Sequence, residues 1–126
     1  MYKHSELTGK IINCAQNVHS TLGFGFLEKV YHNALILELN KFGFDVESEK
    51  PISVYYQGQI VGEYFADIVV AKKVILEIKA VRTVSPAHEV QLVNYLKATD
   101  IDVGLLLNFG KSLEVRRKIF ETARQL

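Results

Sequence analysis

Between Tyr64 and Ala80 the chain reads YFADIVV, then AKK, then VILEIKA. Two aliphatic, β-branched runs separated by a short polar linker read as a β-hairpin. Side chains alternate along a strand, so Val74, Leu76, Ile78 and Ala80 form a wholly apolar face that must meet a core. Glu77 and Lys79 share the opposite face. A three-residue loop, Ala71 to Lys73, pairs Val70 with Val74, Ile68 with Leu76 and Asp67 with Glu77. A two-residue loop would change the parity and set Asp67 against the apolar face of its partner. Hydrophobic matching favours the odd loop, which places two carboxylates opposite each other, with Cβ atoms about 4.5–5.5 Å apart. Like charges there repel, and a divalent cation between them removes the cost. Mg²⁺ or Mn²⁺ suits carboxylate oxygen. Lys79, one pleat along, is placed to meet developing negative charge or to orient a water. The plainer alternative pairs Asp67 and Glu77 with Lys72, Lys73 or Lys79 on a solvated face.

Helical spacing of Leu7, Ile11, Ala15, Val18 and Leu22 predicts a helix capped by Ser5 or Thr8 and broken at Gly23-Phe24-Gly25. A second helix is predicted from about Phe26 to Phe42. Leu27, Val30, Tyr31, Ala34 and Leu35 form its stripe, and Gly43 ends it. Phe44–Ser48 is a weak strand, with a break at Pro51. Ile52–Tyr56 and Gln59–Tyr64 flank a Gln57-Gly58 turn, and Phe65–Val70 and Val74–Ala80 form the charged hairpin. Ser85-Pro86 opens a helix that runs to about Thr99. Val103–Leu107 reads as a strand buried on both faces. Ser112 is expected to cap a final helix carrying Leu113, Arg116, Arg117, Ile119 and Phe120. The strand–helix–strand unit from Val74 to Leu107 predicts a parallel crossover. The fold class is therefore α/β, a mixed sheet with helices on both faces.

The 126 residues fit one domain, 1–126. Fifteen Lys and Arg against 14 Asp and Glu give a formal net charge of +1, so any grip on a polyanion must use a local basic patch. Cys14 is the only cysteine, which excludes an intramolecular disulfide and a cysteine-cluster metal site. The apolar runs are too short to span a bilayer, and MYKHSELTGK has no apolar signal core. A cytoplasmic protein without membrane contact is expected.

Asp67 followed ten positions on by Glu77-Ile78-Lys79 resembles the D…(D/E)xK core of the PD-(D/E)XK nuclease superfamily. Gly25-Phe26-Leu27-Glu28-Lys29-Val30-Tyr31 matches GxxExxY, the signature of the GxxExxY family within it. Ala66-Asp67-Ile68-Val69-Val70, Glu77-Ile78-Lys79-Ala80-Val81, the segment His88 to Lys97 and the segment Gly104 to Gly110 are similar to that family too. The likeness runs from about Leu7 to Phe120, with Ala66 in place of the superfamily's proline. The resemblance implies a restriction-endonuclease-like αβββαβ core and a Mg²⁺- or Mn²⁺-dependent nuclease. Asp67, Glu77 and the Ile78 carbonyl would be metal ligands. Lys79 would position or activate the attacking water, and Glu28 would be the acidic residue on the helix before the sheet. Gln91 and Tyr95 look like the QxxxY motif of RecB-like members.

Each of these residues also has a plainer role. Glu28 in a first helical turn is stabilised by the helix dipole alone. Tyr31 is expected in the core with its hydroxyl touching the site. His88, Gln91 and Tyr95 share one helix face, with Gln91 the better placed for metal contact. His4, His19 and His32 show no mutual ligand spacing and read as surface or local contacts. Arg116, Arg117 and Lys118 read as a solvated helix face. Lys72, Lys73, Lys97 and Arg82 complete the basic candidates. The leading expectation is hydrolysis of phosphodiester bonds in nucleic acid, DNA favoured over RNA. The alternatives are a catalytically silent nuclease-fold module binding nucleic acid or a protein, and a hydrolase of another phosphoester. A homodimer would double the phosphate contacts of so neutral a chain.

Overall fold

The computed structural model describes residues 3–121. Among them the order is α1 (Ser5–Leu22), α2 (Glu28–Lys41), β1 (Val46–Tyr56), β2 (Gln59–Val70), β3 (Val74–Lys79), α3 (Pro86–Lys97), β4 (Val103–Phe109) and β5 (Leu113–Ile119). The strands form one sheet in the spatial order β1-β2-β3-β4-β5. Neighbours are antiparallel except β3 and β4, which run parallel across the α3 crossover. Two cores sit on the two faces. On one, Ile11, Ala15, Tyr31 and Leu35 of α1 and α2 meet Ile68, Leu76 and Leu105. On the other, Leu92, Tyr95 and Leu96 of α3 meet Val69, Ile75 and Leu106. The mixed α/β sheet with helices on both faces is the fold expected.

The charged hairpin has the predicted odd loop: Val70 faces Val74, and Ile68 faces Leu76. Gln57 and Gly58 both take positive φ, 51° and 78°, as a two-residue hairpin turn requires. Ser85 caps α3 with Pro86 at its first position. His88 is not on a free surface face, because its Nδ1 accepts from the Ser85 N–H at 3.3 Å and closes a capping box.

Four expectations are corrected. The predicted final helix is the strand β5. Every residue of β4 is buried, and its outer row of main-chain groups needs a partner, which only another strand supplies. Leu113 and Val115 then pack on the α1 side, and the three cations are engaged. Arg117 donates to Thr8 Oγ1 at 2.9 Å, Lys118 lies 2.7 Å from Glu89, and Arg116 lies 3.2 Å from Glu114. Secondly, Pro51 does not break β1. The strand lies at the sheet edge, where a missing N–H is tolerated. Thirdly, neither Ser5 nor Thr8 caps α1. His4 stands at the cap, and Thr8 Oγ1 donates back to the Ser5 carbonyl at 3.2 Å. Fourthly, α2 turns a different face inward. Leu27 is 80% exposed and Val30 is exposed, while Tyr31, His32, Leu35 and Leu39 are buried. Among the described residues no helix is long and apolar enough to cross a membrane.

Candidate active site at the break in the sheet

The alternation of β2 inverts at Asp67. Ala66 packs on the α3 side with Val69, whereas Ile68 and Val70 pack on the α1 and α2 side. Strict alternation cannot put Ala66 and Val69 on one face. On β1, Ser48 faces Ile68 and Lys50 faces Ala66, and Glu49 between them takes φ 52°. A glutamate in the left-handed region is strained, by on the order of 1 kcal/mol or more. That kink on β1 lies opposite Asp67 and turns the paired strands together.

At this inversion side chains replace the ladder. The Asp67 N–H donates to Glu77 Oε2 at 3.0 Å. The Ile78 N–H donates to Asp67 Oδ2 at 2.7 Å. The Asp67 carbonyl accepts from His32 Nε2 at 3.0 Å, which fixes the proton on that nitrogen. The expected opposition of Asp67 and Glu77 thus takes a different form. The strand pairing ends at Ile68 and Leu76, and beyond it the carboxylates are laced through main-chain N–H groups.

Glu77 is 4% exposed. Burial, and then the neighbouring charge of Asp67, push its carboxyl pKa up to about 8. Both causes favour the neutral form of Glu77 over a second negative charge beside Asp67. Lys79 lies on the same face of β3, forms no ion pair within 4 Å among the described residues, and its charge acts on Glu77 across that face. Asn108, wholly buried, accepts from the Val81 N–H and donates to the Val81 carbonyl, both at 2.9 Å. This two-point clamp fixes the chain as it leaves β3.

Two cavities lie along the elements that carry these residues, and Asp67 lines the smaller. One of about 220 Å³ is lined by Glu28, Lys29, His32, Glu49, Asp67 and Ile78. Glu28 stands at the start of α2 and Lys29 bridges to Glu49 at 3.0 Å. The other, about 660 Å³, lies between α3 and the β1–β2 arm, and Gln91 and Tyr95 line it. Gln91 makes no hydrogen bond with either carboxylate. The Tyr95 hydroxyl pKa is pushed up to about 12, first by burial and then by the charges of Glu77 and Asp67.

The donor set fits a hard divalent cation. Asp67 Oδ1 and Glu77 Oε1 accept no hydrogen bond from the described residues, which leaves one oxygen of each carboxylate for a cation. No three His, Cys, Asp or Glu side chains converge as a ligand set among the described residues. Glu28 lines the cleft without completing such a set.

The hydroxyl of Tyr31 serves the loop before α2, a correction to its expected contact with the site. It donates to the Gly23 carbonyl at 2.8 Å and accepts from the Phe26 N–H at 3.3 Å. Gly25 between them takes φ 105°. The glycine and the tyrosine of the GxxExxY segment thereby set the loop that presents Glu28. Tyr31→Phe is expected to lower stability by about 1–2 kcal/mol, because it orphans the Gly23 carbonyl. A thermal melt should drop by several degrees. An unchanged melt would take the hydroxyl out of this role.

Sequence reasoning missed His32 and Asn108. His32 carried one signal, its place in the Tyr31–Leu35–Leu39 stripe, which marks it as an inward polar residue.

A family model for the PD-(D/E)XK nuclease superfamily matches residues 5–119. The crystal structure of SSO0001 superposes with a TM-score of 0.56 at 21% identity, covering 94% of this chain and 59% of that one. This chain therefore spans well under two thirds of SSO0001. The crystal structure of an alkaline exonuclease, LHK-Exo from Laribacter hongkongensis, gives a TM-score of 0.55 at 13% identity, covering 99% of this chain and 75% of that one. No curated protein matches. With the matched model covering nearly the whole sequence, and the sheet order and crossover agreeing with it, the chain belongs to the PD-(D/E)XK nuclease superfamily.

Proposed function

We propose that this chain is a metal-dependent nuclease of the GxxExxY family, hydrolysing phosphodiester bonds in nucleic acid, DNA favoured over RNA, with residues 1–126 as one domain. The observation that carries the reading is the lacing of Asp67 to Glu77 at an inverted strand, with Lys79 on the same face of β3 as Glu77. Superfamily membership and the fold shared with an alkaline exonuclease support it.

Nucleases of this superfamily generally use divalent metal ions. Asp67, Glu77 and the Ile78 carbonyl would hold one, with Glu28 facing the same cleft. When bound, Mg²⁺ or Mn²⁺ polarises a phosphate and lowers the pKa of a bound water. The chain's own residues do the rest. A cation held there would favour the ionised form of Glu77, its proton passing to solvent, since the raised pKa reflects burial beside Asp67. Lys79 supplies a fixed positive charge for the transition state and orients the attacking water. His32 and the Ile78 N–H hold Asp67 at its carbonyl and carboxylate, so the ligand is positioned before substrate arrives. A homodimer would double the phosphate contacts of a chain carrying a net charge of +1.

The second reading is a catalytically silent module that binds nucleic acid. The convergence of two carboxylates, without a third ligating side chain among the described residues, favours it. Cleavage assays on single- and double-stranded DNA and RNA, with Mg²⁺ or Mn²⁺, decide between them. Metal-dependent cleavage that Asp67→Ala abolishes is the expected result. Binding without cleavage of any form, with either ion, would give the second reading.

A further inference from the structure

The larger cavity has a lining that the hydrolytic chemistry does not use. We infer that it is a base-binding cleft, taking unpaired nucleobases of a single strand whose phosphate lies at Asp67 and Glu77. The inference rests on the nuclease reading and names its substrate class.

Three tyrosines line the cavity: Tyr55 and Tyr64 from the β1–β2 arm and Tyr95 from α3. Tyr64 is 45% exposed and Tyr55 63% exposed, so both rings offer open surface. The Tyr64 and Tyr95 ring centroids lie 5.7 Å apart, tilted by 46°. Aromatic rings beside open space are what successive unpaired bases stack on, whatever the sequence. Gln91 and Asn94 add donors and acceptors that match base edges, and Lys97 adds a cation. No Asp or Glu lines the cavity, in a chain with 14 of them. A polyanion is therefore not repelled until it reaches the carboxylate pair. The volume, about 660 Å³, lies in the ~300–1,000 Å³ range of ligand pockets, which is room for nucleotides.

Continuity with the site decides the occupant. Tyr95 lines the cavity and belongs to the same buried cluster as Ala66, the residue before Asp67, and Ile75 of β3, the strand that carries Glu77. Tyr64 precedes Asp67 by three residues on β2, so ring and carboxylate belong to one rigid strand. A base stacked on the open face of Tyr64, whose other side is backed by the Tyr95 ring, keeps its backbone on the strand that carries Asp67. A paired base would have its π-face covered by the stack and would gain nothing there.

The test is binding without cleavage. A labelled short oligothymidylate is titrated into the full chain with Ca²⁺ as the divalent ion, and the strand is shown intact afterwards. The chain has no Trp and six Tyr, so quenching of tyrosine fluorescence reports stacking directly. The single strand is expected to bind and quench. An abasic strand of equal length, with the phosphates but no bases, should bind roughly 5- to 100-fold more weakly. Tyr64→Ala should weaken oligothymidylate binding by a similar factor. Tyr64→Phe, which keeps the ring, should stay near the parent. Tyr55→Ala, at a more exposed position, provides a second variant whose fold is not at risk. Oligouridylate binding as well as oligothymidylate keeps the cleft and makes the sugar immaterial. Equal binding of the abasic strand, tighter binding of a duplex, or parental affinity in both alanine variants would overturn the inference. Duplex cleavage that Tyr64→Ala leaves unchanged would remove the cleft and keep the nuclease. Base-dependent binding by a chain that cleaves nothing would do the reverse.

Discussion

Lys79→Ala is expected to lower turnover by roughly 10²- to 10³-fold while divalent-ion binding stays close to the parent's. The separation of the two readouts follows from position. Asp67 and Glu77 carry the oxygens a cation needs, and Lys79 carries none. Lys79 lies on the face of β3 that bears Glu77, opposite Asn108 of β4, and among the described residues no acid lies within 4 Å of its ammonium. Its backbone is held by two central strands, a fixed base from which the side-chain charge reaches the transition state. Asp67→Ala should lose turnover and ion binding together. It removes a ligand and also the acceptor of the Ile78 N–H. Single-turnover cleavage beside calorimetric Mn²⁺ titration measures both quantities. Parental turnover in Lys79→Ala would take the lysine out of the chemistry. Loss of ion binding in that variant would make it a structural residue of the site.

Much of the fold was legible because it depends on pattern. Parity alone gave the Ala71–Lys73 loop and the register of Val70 with Val74 and Ile68 with Leu76. Capping chemistry gave the start of α3, and a continuous apolar run gave β4. The last element went wrong for a reason outside its own sequence. Leu113, Val115, Arg117 and Ile119 alternate as a strand does, and the segment also carries helix-forming Leu, Glu, Arg and Lys. What decides between them is the open edge of β4, a tertiary demand that no local pattern encodes. The α2 stripe shifted for a related reason. His32 is drawn inward by a main-chain carbonyl on β2, a partner 35 residues away.

The site divides along the same line. Asp67, Glu77 and Lys79 stood out because charges in apolar strands demand an account. The inversion at Asp67 did not, since uniform alternation is the only assumption a sequence allows. It depends on Glu49 in the left-handed region, and nothing in a glutamate announces that conformation. Nor does an asparagine announce that it will clamp Val81, as Asn108 does. These residues act on backbone groups. Their signal is geometric and appears only when the sheet has closed.

The second large effect is on stability, and it needs no substrate. The folded Glu77 carboxyl has its pKa near 8, well above its ordinary value of 4.5. An acid whose folded pKa is raised keeps its proton in the native state while the unfolded chain has already lost it. Between about pH 4.5 and 8 the native state binds more protons, so stability falls as pH rises, and it levels off above about 8. The burial and the Asp67 charge that cause the shift set the size, on the order of 4 kcal/mol across that window. That is a large fraction of the stability of a domain, and the melting temperature should fall by roughly 10 °C between pH 5 and pH 9. Glu77→Gln isolates this contribution from other titrations. Its amide oxygen still accepts from the Asp67 N–H, and it has no proton to lose. The variant should melt close to the parent at pH 5 and well above it at pH 9. A divalent ion should narrow the gap at pH 9 by stabilising only the parent, since it compensates the charge that burial penalises. Melting curves that stay parallel for parent and variant from pH 5 to pH 9 would mean that Glu77 ionises freely. The carboxylate pair would then not be the strained, cation-seeking unit on which the proposed chemistry depends.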